Sequence, residues 1–314
     1  MTREPTTERT AGTASADAGT SPGGEPRGVV TPPPPASVGV LGGGRMGAGI
    51  AQSFAAAGSS VVVVESDDGR AAAALELIGA GLERAHARGR LTEEPVAVRR
   101  RLTAVTSVEE LPAAMTLVVE AVPEDARLKA RLLAAAERAV DPGTVLASNT
   151  SSLSLTELAT ALERPERFLG MHFFNPVPAS TLVELVTTDH TAPAVLDAAL
   201  AWTAALGKQD VVVRDSPGFA SSRLGVAIGL EAIRMVEEGV AEPEAIDRAM
   251  TLGYKHPMGP LRLTDLVGLD VRLAIADHLR ETLGERFAAP RLLREKVERG
   301  ELGRKTGQGF YSWD

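Results

Sequence analysis

Residues 38–47 read Val-Gly-Val-Leu-Gly-Gly-Gly-Arg-Met-Gly. A β-prone run, Val38–Leu41, feeds straight into glycines, and a helix-type pattern then covers about 46–57 until Gly58 stops it. Strand, tight turn and helix is the one local arrangement that uses all of these residues well. Gly42, Gly44 and Gly47 fit the spacing G-x-G-x-x-G. In that setting the first glycine makes the turn, the second lets backbone approach a pyrophosphate, and the third lets helix pack on strand. Val61–Val64 form the next strand, four valines in a row, as expected where both faces are buried. Glu65 closes it, 23 residues after Gly42. An acid at that point bonds ribose hydroxyls and repels a 2′-phosphate. Ser66, Asp67 and Asp68 follow, with no arginine among them, so the pattern favours NAD over NADP.

The same alternation continues downstream. Thr103–Thr106, Leu117–Ala121, Val145–Ser148, 168–175 and 182–187 read as strands. Residues 70–101 read as two helices broken near Gly89 and Pro95, and Leu128–Val140 and Leu155–Leu162 as further helices. Repeated strand–helix–strand units imply a mostly parallel open sheet covered on both faces. The fold class is therefore α/β: a Rossmann-type N-terminal domain over 37–213, followed by an all-α C-terminal domain over 214–314. The helices expected in the latter are Arg223–Glu238, Pro243–Leu252, Thr264–Leu283 and Pro290–Arg299. Residues 1–36 lack Leu, Ile and aromatic residues, so they have too little to bury and read as a disordered tail.

Composition removes several function classes. The net charge of −8 argues against nucleic-acid partners, which call for a Lys/Arg-rich surface. The chain has no cysteine, which excludes disulfides, thiol nucleophiles and cysteine metal sites and fits a reducing cytoplasm. No apolar run is long enough for a membrane span, and no metal-ligand pattern stands out. The acids Glu4, Glu8, Asp17 and Glu25 are unlike a mitochondrial transit peptide.

Further motifs narrow the reading. They are Ser148-Asn149-Thr150-Ser151-Ser152, the block Gly170 to Pro178 (Gly-Met-His-Phe-Phe-Asn-Pro-Val-Pro), Leu182-Val183-Glu184-Leu185, Ser216-Pro217-Gly218-Phe219, His256-Pro257-Met258-Gly259-Pro260, and Gly303 to Tyr311. In this order the chain resembles the L-3-hydroxyacyl-CoA dehydrogenases, from about residue 37 to 313. The resemblance implies an NAD-dependent enzyme that interconverts a 3-hydroxyacyl-CoA and a 3-ketoacyl-CoA, in β-oxidation, butanoyl-CoA chemistry or a related aromatic-acid pathway; the alternatives are a dehydrogenase of a free hydroxy acid on the same fold and a non-catalytic NAD-binding relative. It implies His172 as catalytic base, Glu184 as its paired carboxylate, Ser151 at the substrate hydroxyl, and Asn175 in the active site. It also implies that Arg45, Met46 and Ala121 accompany the glycine turn. Glu124, Lys129, Asn149 and Lys305 then line the cofactor. The helix pair at 70–101 helps hold coenzyme A, and the C-terminal domain closes the site and forms a homodimer.

The chemistry is consistent on its own terms. Oxidising a secondary alcohol needs a hydride acceptor and a base, and a histidine beside a carboxylate takes a proton near neutral pH. Spacing leaves open whether His172 and Glu184 touch. One departure stands out: Ser222 occupies the position of the family's asparagine after Pro-Gly-Phe. The lost amide contact is expected to be weakened, water-bridged or replaced by Ser221. Arg99-Arg100-Arg101 reads as a solvated helix face with a possible coenzyme A phosphate contact.

Overall fold

The computed structural model describes residues 32–313. Strand β1 (Ser37–Leu41) enters the glycine turn and helix α1 (Arg45–Ala57), and β2 (Ser60–Val64) returns beside β1. Helices α2 (Asp68–Ala87) and α3 (Pro95–Arg99) make an excursion before β3 (Leu102–Val105). Then follow β4 (Leu117–Glu120), α4 (Ala126–Ala139), β5 (Val145–Ser148), α5 (Leu155–Ala159) and β6 (Phe168–Phe173). A hairpin-like reversal leads to β7 (Leu182–Thr187), and α6 (Pro193–Ala205) and β8 (Gln209–Arg214) complete the sheet. The remainder is helical: α7 (Ser221–Glu237), α8 (Pro243–Arg248), α9 (Pro260–Val267), α10 (Leu269–Leu283) and α11 (Arg291–Glu298).

The eight strands lie in the order β3-β2-β1-β4-β5-β6-β7-β8. The first six are parallel, β7 runs antiparallel to β6, and β8 is parallel to β7. Chain order reverses between β1 and β4, so the crevice beyond their carboxyl ends is the place where such sheets bind ligands. Strand pleating sends neighbouring residues to opposite faces. Val38 and Val40 join Ile50 and Phe54 of α1 and Trp202 of α6 in one core. Leu41, Val64, Val118 and Leu146 join Leu133 of α4 in the other. The helical region has its own core around Val226, Leu230, Ile233, Leu261 and Leu279.

Several expectations need adjustment. Helix α6 and strand β8 were not foreseen. The α6 sequence is almost uniformly apolar and Ala-rich, so it carries little 3.6-residue period, and β8 is an edge strand with mostly exposed side chains. The expected helix Thr264–Leu283 is two helices that begin at Pro260 and break at Gly268, whose φ of 105° no α-helix tolerates. Helix α8 ends early and passes into a π-helical turn, Ala249–Gly253. The expected tail boundary at residue 36 is drawn too late: Pro35 is buried, and the Ala36 carbonyl accepts from Ser60 N–H at 3.0 Å. The rest of that tail, residues 1–31, lies outside the described residues.

Candidate active site

The glycine turn is shaped as its spacing requires. Gly42 has φ 92°, and a Cβ on Gly47 would sit 1.8 Å from the Gly42 carbonyl oxygen. Helix α1 can start against the end of β1 only because that atom is missing. A Cβ on Gly44 would meet nothing within 4 Å, so this part of the turn is open. No side chain caps the N-terminus of α1, which leaves N–H groups and the positive dipole end for a phosphate. Arg45 is exposed beside it, and Met46 packs half-buried against the sheet core. Glu65 closes the rim of the turn. Its Oε1 accepts from Gly43 N–H at 2.6 Å and its Oε2 from Ser66 N–H at 3.2 Å. Ala121 continues β4 on the other side of the crevice, where its N–H donates to the Leu41 carbonyl at 2.8 Å. The residues present fit a dinucleotide.

Beyond β4 lies a network of ionic groups. Lys129 is 1% exposed and Glu120 0%, and Lys129 Nζ donates to Glu120 Oε1 at 2.7 Å. It also reaches Glu124 Oε2 at 3.2 Å and the Val122 carbonyl at 3.1 Å. Ser148 Oγ donates to Glu120 Oε2 at 2.6 Å. Lys129 is thus a buried strut, and Glu124 is the member of the pair that meets solvent. Glu124 Oε1 gathers the loop after β5: it accepts from Thr150 Oγ1, from Ser151 N–H at 2.9 Å, and from Ser151 Oγ at 3.4 Å. Burial pushes the Glu124 carboxyl up, but the Lys129 charge and the loop donors outweigh it and hold it below the usual carboxylate range.

His172 and Glu184 are direct register partners across the antiparallel pair β6–β7. His172 Nδ1 lies 2.8 Å from Glu184 Oε2, and both side chains are buried. Phe174 and Phe219 flank the imidazole, with ring centroids 4.4 and 5.8 Å away. Glu184 Oε1 accepts from the N–H groups of Ala220 and Ser221, and Oε2 also accepts from Ser221 Oγ at 2.6 Å. Burial pushes the Glu184 carboxyl up, yet the bonds from His172 and Ser221 prevail and its pKa is lowered. Asn149 braces this strand end, its Oδ1 accepting from Phe173 N–H at 2.8 Å.

The structure therefore brings His172, Glu184, Asn149, Glu124 and Ser151 to the ends of β4 to β7. Asn175 precedes a cis proline and lines a neighbouring cleft. Ser222 lies half-buried in the first turn of α7 and makes no side-chain hydrogen bond among the described residues. The Ser221 hydroxyl is turned to Glu184, to which it donates. Lys305 makes none of these contacts; its Nζ pairs with Asp270 Oδ2 at 2.6 Å in the helical region. Arg101 is structural as well, bonding Glu93 and the Ala55 carbonyl, and the Arg99 guanidinium packs over Gly79.

The chain matches the family model for the NAD binding domain of 3-hydroxyacyl-CoA dehydrogenase over residues 37–216, and the model for the C-terminal domain of that enzyme over 218–313. The chain belongs to the 3-hydroxyacyl-CoA dehydrogenase family. The 3-hydroxybutyryl-CoA dehydrogenase of Mycobacterium tuberculosis is 45% identical over 282 residues, covering 88% of this chain and 98% of that protein. The mitochondrial hydroxyacyl-coenzyme A dehydrogenase of Sus scrofa is 39% identical over 283 residues, covering 87% and 90%. The crystal structure of (S)-3-hydroxybutyryl-CoA dehydrogenase from Ralstonia eutropha superposes with TM-score 0.84 at 39% identity, covering 89% of this chain and 99% of that one. As a member of the family the chain is an NAD-dependent dehydrogenase, and its α/β sheet with a helical C-terminal region is the family's fold.

Three residues that hold the site were not legible beforehand. Glu120 ends an apolar strand, and only its burial shows that it is half of an ion pair with Lys129. Asp215, in the link from β8 to α7, accepts from Ser154 Oγ, Thr156 N–H and Thr156 Oγ1, and so ties the Ser151 loop to the start of the helical region. Lys208 Nζ donates to the Val177 and Ser180 carbonyls and holds the loop after Asn175. A basic residue after Leu-Gly, in a chain that otherwise returns to an edge strand, is too common a pattern to single out.

Proposed function

We propose that the chain oxidises the 3-hydroxyl of an (S)-3-hydroxyacyl-CoA to the 3-ketone, reversibly, with His172 as the proton acceptor. The observation that carries this reading is the buried His172–Glu184 pair at the same carboxyl end of the parallel strands as the open glycine turn. Glu184 engages Nδ1, which fixes the tautomer and leaves Nε2 to take the hydroxyl proton. Ser151 supplies a hydroxyl to the same oxygen, exchanging its long bond to Glu124 for the substrate. When bound, NAD supplies the acceptor for the hydride leaving C3. Gly42, Gly44, Gly47 and the start of α1 hold its phosphates, and Glu65 its adenosine ribose. Glu124 and Asn149 would face its other end, and Asn175 lines the cleft beside them.

A cleft of about 500 Å3 between α1, α2 and the loop after Asn175 supports the coenzyme A part of the reading. Arg45, Arg84, Arg88, Arg90 and Lys208 line it, which suits a ligand that carries several phosphate charges. Burial pushes the Lys208 ammonium down, and among the described residues no carboxylate pairs with it. In this reading residues 37–213 bind cofactor and carry the base, and residues 214–314 close the site and pair two subunits in a cytoplasmic homodimer. No described helix is long and apolar enough to cross a membrane. The test is turnover of acetoacetyl-CoA with NADH by purified protein. Binding of NADH without reduction of acetoacetyl-CoA or a longer 3-ketoacyl-CoA would refute the reading.

A further inference from the structure

Glu184 serves more than one donor. Oε2 is shared between His172 Nδ1 at 2.8 Å and Ser221 Oγ at 2.6 Å, while Oε1 takes the Ala220 and Ser221 N–H groups at 3.1 and 2.8 Å. We propose that Ser221 is a positioning residue whose hydroxyl competes with His172 for Glu184 Oε2 and so sets the pH at which the base works. This rests on the reading of His172 as the base.

A bond from a hydroxyl to a carboxylate oxygen is charge-assisted and draws on the same negative charge that stabilises a protonated imidazole. The more donors share that charge, the less is left for the ring. Glu184 is 1% exposed, so water does not level the difference. The hydroxyl is fixed in place because the Ser221 N–H already bonds the same carboxylate.

The charged groups on the surrounding elements do not intrude. His172 on β6 is the only ionisable side chain that bonds Glu184 among the described residues. On β8, Asp210 and Arg214 are exposed, and Arg214 pairs with Asp189. Asp215 in the link is engaged with Ser154 and Thr156, and Arg223 on α7 forms no ion pair among the described residues, Glu184 included. Glu124 and Lys129, across the site, bond each other. Ser221 is thus a neutral donor whose removal changes the carboxylate without removing a charge.

The direction follows. Without the hydroxyl, Glu184 supports the protonated ring more strongly. Oxidation needs the neutral ring, so its acid limb moves to higher pH. Reduction needs the protonated ring, so it persists to higher pH. The test uses full-length Ser221→Ala, which keeps both backbone donors, with Ser221→Cys as a near-isosteric weak donor and Ser221→Thr to restore the hydroxyl. Profiles of kcat/KM against pH are measured in both directions. The ring C–H signal of His172 is titrated by NMR in the free enzyme, which needs no turnover. For Ser221→Ala the limb should rise by about half a pH unit or more, the scale of one hydrogen bond. The NMR midpoint should follow, with Cys intermediate and Thr close to wild type. A limb and signal that stay put or move down in both Ala and Cys overturn the proposal. If the enzyme reduces no ketoacyl-CoA, the NMR titration still decides the role of Ser221, and the loss falls on the assigned reaction instead.

Discussion

His172 gains its orientation from one oxygen of Glu184, and that pairing makes the chemistry of the site testable residue by residue. His172→Gln should lower kcat by roughly 10²–10⁴, the usual worth of a general base, with NADH affinity by fluorescence nearly unchanged. A variant that keeps a third of the activity would remove the assignment. Glu184 adds a dependence of stability on pH. Its folded pKa is below the ordinary 4.5, because the His172 and Ser221 bonds outweigh the opposing effect of burial. A depressed carboxylate stabilises the fold above its unfolded pKa, and the contribution fades as pH falls through the folded value. Urea midpoints of wild type and Glu184→Gln should therefore differ at pH 7 and draw together as the pH falls below the ordinary carboxylate range. A gap that stays constant would mean the carboxylate is not held ionised. Glu65 at the rim of the glycine turn predicts a preference for NAD(H) over NADP(H) of at least about tenfold in kcat/KM, narrowed by Glu65→Ser with Ser66→Arg. At this scale the sequence was informative about placement: it put His172 and Glu184 on consecutive strands, where the fold makes them register partners, and Glu65 at the end of the second strand, where it meets the glycine turn. It was silent on Glu120 and offered Ser221 only as a stand-in for the missing asparagine, because the contacts of both depend on which atoms face them after folding.

At the scale of elements, two close approaches carry the site. Helix α1 starts against β1 across Gly47, where a Cβ would lie 1.8 Å from a carbonyl oxygen. Gly47→Ala should push the two elements apart. A loss of at least about 1–3 kcal/mol in urea unfolding is expected, with NADH binding reduced alongside it. Unchanged binding would show that the turn does not need the contact. The second approach is α4 against β4 through the buried pair Lys129–Glu120. Lys129→Met would strand a carboxylate that is 0% exposed, at a cost of about 3–5 kcal/mol by chemical denaturation. Most strands and helices were readable because their apolar residues repeat at the strand or helix period. Helix α6 and strand β8 were not, since one is apolar all round and the other lies at an exposed edge. The break at Gly268 was also missed, because a single glycine inside a helical pattern does not reveal its φ.

Across the whole molecule, apolar side chains remain exposed on several helices of the helical region: Leu224 and Ile228 on α7, Leu263 and Val267 on α9, and Val271 on α10. A second copy of the chain is the expected cover, so light scattering should give twice the chain mass, and Leu224→Asp with Val271→Asp should halve it. A wild-type monomer would set that expectation aside. The two-part organisation was legible as a change of pattern near residue 213, but how the parts depend on each other was not. Of the four donors on Glu184, three come from Ala220 and Ser221 at the very start of α7, and only His172 belongs to the sheet. Helix ends are the first places to open locally. Each time that first turn opens, a buried carboxylate loses most of its partners while the sheet around it stays intact. Heating should therefore silence the enzyme several degrees before the sheet unfolds, with activity returning on cooling, and amide exchange at residues 220 and 221 should track the loss.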